Sequence, residues 1–166
     1  MMIKTLKPLL TAYGLCAAFT VLAADPPPTP PPYGAAIGLA DARTCVAAAQ
    51  TYASKNHWFL VMTVLDSGGH VVLTERMDNA QFGSVGPAFK KAHTAIAFRR
   101  PTKVMEDIVA QGGAGLRILS LVEAMPIDGG LPLIRKGALI GAIGVSGATS
   151  AQDGEAAAAC TAALAP

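Results

Sequence analysis

One α+β domain, a central mainly antiparallel sheet flanked by helices, is what this sequence predicts. Two patterns carry that reading. Apolar runs of strand length come as two hairpin pairs, within residues 58–77 and 129–147, rather than as single strands alternating with helices. Stripes of alanine and aliphatic residues at helical spacing stand before, between and after those pairs. The 166 residues suffice for one domain with a real core.

The N-terminus is set apart from that domain. Lys4 and Lys7 precede the apolar run Leu9–Ala23, and Val21-Leu22-Ala23 before Ala24-Asp25 offers a small-residue cleavage site. This is the layout of a secretory signal peptide over residues 1–24, so the chain is expected in the periplasm or secreted. The run is short for a membrane span, and none is expected to persist after cleavage. An uncleaved N-terminal anchor is the alternative. Leu15 before Cys16 does not fit a bacterial lipobox. Residues 25–34 form a proline-rich linker, expected to be a stiff polyproline II spacer or, alternatively, a recognition motif. The domain occupies residues 35–166.

Within it, Leu39, Ala42, Val46, Ala49 and Ala53 recur at helical spacing across Gly38–Asn56. Trp58–Leu65 is an almost unbroken apolar run, the mark of a strand covered on both faces. Ser67-Gly68-Gly69 turns the chain into a return strand, His70–Met77, whose core face is expected to hold Val71, Leu73 and Met77. A helix follows from about Ser84 to Phe98, its stripe expected at Val85, Phe89, Ala92, Ile96 and Arg99. Pro101 breaks it, and Thr102 is expected to cap a second helix reaching about Gln111. Gly112–Gly115 reads as a link, and Leu116–Val122 fits helix or strand equally well. The second hairpin carries Gly141 and Gly144 inside a strand, where a missing side chain marks close approach by backbone, helix or ligand. An alanine-rich helix from about Gln152 to Leu164 closes the domain.

Composition excludes some functions. A net charge of +2, with 14% charged residues and no basic stripe interleaved with aromatics, argues against nucleic acid. No nucleophile elbow, phosphate loop, dinucleotide fingerprint or zinc-type cysteine cluster is present. Cys45 and Cys160 remain after signal cleavage. In an oxidising compartment two readings stand: a disulfide closing a loop of about a hundred residues, worth about 4–5 kcal/mol, or two buried free thiols.

Three histidines are scattered. His93 is the most suggestive, with Lys90 one turn before it and Arg100 two turns after on one helix face. Neighbouring cations favour a neutral imidazole able to bind metal, and can themselves pair with carboxylates. An ordinary solvated helix face is the competing reading. His70 at a strand start is either a solvated hairpin residue or an acid–base group, and Asp66 and Asp78-Asn79 read as turn formers. Met62, Met77 and Met105 fit core packing.

Five segments taken in order resemble the HbpS-like/GlcG family, which includes the C-terminal domain of PduO-type proteins. They are Val64–Val72 with Glu75–Ala80, Lys91–Ala95, Arg100–Thr102, Gly129–Pro132, and Gly141–Gly147 followed by Asp153. The resemblance covers the domain from about Ala35. It implies a homo-oligomer that binds haem or another small planar anionic ligand, some members being extracellular haem sensors or scavengers. The cationic helix face and the glycine-rich strand put the expected site on the helix carrying Lys90, Lys91, His93 and Thr94, with Arg99 and Arg100 in support. His93 and Thr94 are the expected iron contacts, Thr94 by match to a threonine implicated at the iron in the family. Gly154 between Asp153 and Glu155 departs from the family pattern. A small-molecule enzyme (isomerase, lyase or haem-degrading) using Asp66, His70 or His93, and a non-catalytic accessory subunit, are the alternatives.

Overall fold

The computed structural model of the chain describes residues 29–164, so the signal peptide and the first residues of the linker lie outside it. Helix α1 (Leu39–Lys55) leads into the hairpin β1 (Val61–Asp66) and β2 (Val71–Arg76). Helices α2 (Val85–Ala97) and α3 (Thr102–Ala110) follow, then a 3-10 stretch over Gly113–Ser120. The second hairpin, β3 (Gly130–Arg135) and β4 (Ala138–Ser146), precedes α4 (Ser150–Ala163). The two hairpins join through an antiparallel β1–β4 pair, giving the sheet order β2-β1-β4-β3. This is the expected α+β architecture.

Three layers result. Met62 and Val64 of β1 and Ile143 and Val145 of β4 face α1 and α4, packing with Ala42, Val46, Ala49, Ala156 and Ala157. Leu65 and Ala142 face the other way, against Ala92, Ala95 and Ile96 of α2. With both faces covered, Val61–Leu65 are all buried, as an unbroken apolar strand requires.

The interior glycines mark close approach by the chain itself: a Cβ on Gly141 would stand 2.3 Å from Leu65 O of β1. A Cβ on Gly144 would stand 2.0 Å from Ala88 O and 2.4 Å from Ala92 N of α2. Small residues on both sides let helix and sheet backbones approach closely, which accounts for the alanine and glycine content.

Several local expectations are corrected. The α2 stripe is rotated: Ala88, Lys91, Ala92 and Ala95 face inward, whereas Val85 and Phe89 are exposed. A helix pressed on Gly144 accepts alanine there and has no room for Phe89. Register slips between Val64 and Leu65, so Val72 and Leu73 both pack on the α1/α4 core while Val71 is 55% exposed. The β1 run begins at Val61, three residues after Trp58, which packs on Tyr52 with ring centroids 5.9 Å apart. Residues 116–120 are neither α-helix nor strand but lie in the 3-10 stretch. Thr102 is the first residue of α3 rather than its cap, and its hydroxyl accepts the Gly130 amide at 2.9 Å. The α4 cap is Thr149, in a reciprocal capping box with Gln152.

The proline-rich segment is not wholly a spacer. The Leu139 amide donates to Pro32 O and the Gly34 amide to Leu139 O, both at 2.8 Å, so Tyr33 pairs in parallel with β4 where β1 has ended. Between α1 and α4, Cys45 and Cys160 join in a disulfide 115 residues apart in sequence. Both cysteines are fully buried, and no other covalent bond ties the two ends of the domain among the described residues. Non-reducing mass analysis should therefore find no alkylatable thiol at either position. Cys45→Ala with Cys160→Ala should lose about 2–5 kcal/mol in urea denaturation. A native thiol that alkylates without denaturant contradicts the bond.

Candidate functional site

Three segments meet beside the C-terminal half of α2: the docked strap around Tyr33, the β1–β2 turn, and α2 itself. Between them lies a cleft of about 200 Å³ lined by Tyr33, Ser67–Gly69, His93 and Ile96. Asp66 builds the turn wall, its Oδ1 accepting the amides of Gly68 (2.8 Å) and His70 (2.9 Å). Gly69 adopts φ +84, a left-handed conformation that a side chain disfavours. Burial pushes the Asp66 carboxyl upward, but those two amides and the His70 imidazole outweigh it, holding it below the usual carboxylate range. Asp66 is thus a turn former, and the His70 side chain stays 83% exposed.

Tyr33 forms the opposite wall. Its hydroxyl donates to Ile96 O at 3.0 Å, and the Arg99 guanidinium lies 5.5 Å from its ring centroid. The third wall carries His93, whose ring stacks on Phe89 at 6.0 Å and 20°. Its Nδ1 is buried and has no hydrogen-bond partner. A buried polar atom left so costs about 1–3 kcal/mol unless something outside the chain satisfies it. A neutral imidazole nitrogen is a metal ligand as well as a hydrogen-bonding group, so the donor chemistry fits the iron of a tetrapyrrole.

The six residues expected at the site divide into three groups. Lys90 and His93 share the open side of α2, Lys90 exposed one turn ahead. Lys91 and Thr94 do not join them. Thr94 is fully buried, its Oγ1 donating to Lys90 O and accepting the Met125 amide, both at 2.7 Å. Lys91 Nζ lies 2.7 Å from Asp153 Oδ2, with both side chains 3% exposed. Arg99 and Arg100 stand on the far side of Tyr33, lining a separate groove with Pro101 and Pro132. Helical periodicity groups residues by face, but it does not reveal which faces a neighbour covers.

The buried ion pair escaped sequence reasoning. Lys91 and Asp153 are 62 residues apart, and only the tertiary structure brings them together. Asp153 Oδ1 also accepts the Ala148 amide at 3.0 Å. Burial still raises the Asp153 carboxyl above its ordinary value, against the pull of Lys91 and of that amide. This group alone therefore holds its proton more tightly in the fold than in the unfolded chain, and its ionisation opposes folding as pH rises through that range. Burial likewise raises Asp128, whose amide donates to Glu106 and whose carboxylate covers Gly154. A Cβ on Gly154 would stand 2.5 Å from Asp128 Oδ2. Tyr33 was missed as well, because a proline-rich segment reads as a linker.

With fold and site in view, the chain can be placed among known proteins. It belongs to the HbpS-like family, described as "Haem degrading protein HbpS-like", whose pattern matches residues 37–162. Protein GlcG of Escherichia coli (strain K12) is 39% identical over 105 residues, 63% of this chain and 77% of GlcG. The crystal structure of a double mutant of HbpS from Streptomyces reticuli is similar, at TM-score 0.72 and 30% identity. That match covers 89% of this chain and 98% of HbpS. The crystal structure of a PduOC:heme complex is similar at TM-score 0.70 and 33% identity, covering 77% of this chain and 94% of PduOC.

Lys91→Met, which leaves Asp153 buried without its cation, should lose about 3–5 kcal/mol in urea denaturation. Lys91→Met with Asp153→Leu should recover a substantial part of that loss. A double variant no more stable than the single shows that the pair does not act as a unit.

Proposed function

We propose that this protein is an exported haem-binding protein that takes the tetrapyrrole at the His93 cleft. One observation carries the reading: His93, whose Nδ1 has no hydrogen-bond partner, lines a cleft of a fold shared with a haem complex. His93 is the iron-facing group, and Lys90, exposed on the same side of α2, is placed to pair with a propionate. Haem, when bound, supplies an iron centre with an open coordination position and a strong visible chromophore. Gly68 and Gly69 keep the turn wall free of side chains, and Phe89 fixes the imidazole plane.

The cleft is smaller than the range of about 300–1,000 Å³ typical of sites that enclose a small molecule. A tetrapyrrole would therefore be only partly enclosed by one chain. The exposed apolar side chains Val85 and Phe89 on the same helix, with Phe82 in the 3-10 turn just before it, suit cover by a second copy, in keeping with a homo-oligomer. Lys91 and Thr94 drop out of direct ligation because their polar atoms are already engaged.

Export rests on the residue 1–24 pattern together with the Cys45–Cys160 bond, which suits an oxidising compartment. Among the described residues no helix is long and apolar enough to cross a membrane. The mass of protein recovered from its native compartment should correspond to a chain beginning at Asp25. Recovery of the intact N-terminus supports the anchor instead.

Titration with ferric haem should give a saturable shift of the Soret band, and His93→Ala should weaken it by about tenfold or more. Thr94→Ser, which keeps the buried hydroxyl, should leave it unchanged. No Soret change in the wild-type protein removes the haem reading; an unaltered one in His93→Ala removes the site. Steady loss of the band under reductant and oxygen would favour haem degradation over binding.

A further inference from the structure

We propose that the groove on the far side of Tyr33 is a second binding site, for a monocarboxylate with a short apolar tail. At about 540 Å³ it exceeds the His93 cleft and lies within the range of small-molecule sites. Its walls come from three parts of the fold: Pro30 and Pro31 of the docked strap, Pro101 and Val104 at the start of α3, and Pro132 and Ile134 of β3. Four of these six are prolines, whose fixed φ makes the wall stiff before any ligand arrives. Val104 and Ile134 remain 40% and 48% exposed, large apolar side chains with nothing packed over them among the described residues.

Two cations stand against these apolar walls. Arg99 adopts φ +52, turning the chain sharply between α2 and α3 and bringing both arginines to the groove. Its guanidinium is positioned by the Tyr33 ring and by a long 3.4 Å contact from Nη1 to Pro31 O. Arg100 is exposed, and its Nε donates to Phe98 O at 3.1 Å. These contacts orient the guanidinium planes without neutralising them. Among the described residues neither arginine has a carboxylate partner, although Arg135, Lys91 and Lys103 each have one.

An apolar trough with an unneutralised guanidinium pair has a complementary shape: one carboxylate for the fork-shaped donors, one hydrocarbon tail for the prolines, Val104 and Ile134. A ligand with a second charge at its far end would set that charge against the prolines, Val104 and Ile134, and a neutral lipid would leave the guanidiniums unused. His93 does not line this groove, and neither arginine lines the His93 cleft. The two sites therefore fail or succeed independently.

Octanoate titrated into the mature protein and followed by NMR should produce saturable shifts centred on Val104 and Ile134. Arg100→Ala should weaken binding by about tenfold, and octanol should bind about tenfold more weakly than octanoate. Val104→Glu, which sets a carboxylate in the trough, should abolish binding while preserving the remaining amide spectrum. His93→Ala should bind octanoate as wild type does, whether or not the protein takes haem. The proposal is overturned if millimolar octanoate shifts nothing at these residues, or if octanol binds as well as octanoate. It is equally overturned if octanoate acts only by dissociating an oligomer, since a second copy then occupies the groove.

Discussion

The buried contact between Lys91 and Asp153 is the constraint on which this fold turns. Two opposite charges taken out of water are tolerated only when each is fully engaged, and here they meet at 2.7 Å with a backbone amide completing the carboxylate's shell. The pair spans from α2 to α4 across the start of β3. That passage is possible because the chain between the helices is Gly129-Gly130. A Cβ on Gly129 would stand 2.9 Å from Lys91 Nζ, and one on Gly130 would stand 2.4 Å from Lys91 O. The glycines and the ion pair are therefore one device: the backbone threads a gap that the two charges hold to a fixed width.

The rest of α2 follows from where that pair places it. With Lys91 facing inward, Ala88, Ala92 and Ala95 must share the inner side, and they meet Gly144 and Ala142 of β4. His93 and Lys90 then fall on the open side, and Thr94 falls where it ties the helix to Met125. A helix anchored so firmly on one face can hold an imidazole with an unsatisfied nitrogen on another. The local loss is small beside the packing that fixes the helix.

The elements themselves were legible because each has its own periodicity and punctuation. Pro101 ends one helix and the Ser67–Gly69 turn joins β1 to β2, both as their chemistry demands. The α2 face is not legible locally because Val85 and Phe89 are more apolar than Ala88 and Lys91, so hydrophobicity does not mark the inward side of this helix. Burial at this helix is decided by size and by a remote counter-charge, neither of which a local window contains. The bulge opposite Val64, the Thr149 cap and the docking of Tyr33 share that character. Each depends on a partner distant in sequence or on a register that only strand pairing sets.

His93 was legible for a different reason: a histidine between basic residues is unusual enough to notice. Lys90 and Lys91 look equivalent in sequence, yet one step of 100° around the helix separates a solvated cation from one locked in the interior. Thr94 and His93 divide in the same way. Each residue turns the helix by 100°, so at the border of the covered face a single step carries a side chain from the interior to the open side. The strap adds a second division along the helix, since Tyr33 hydrogen-bonds to its C-terminal carbonyls and stands between His93 and Arg99. Lys90, Lys91 and the Arg99–Arg100 pair therefore stand in three separate electrostatic environments rather than in one positive patch.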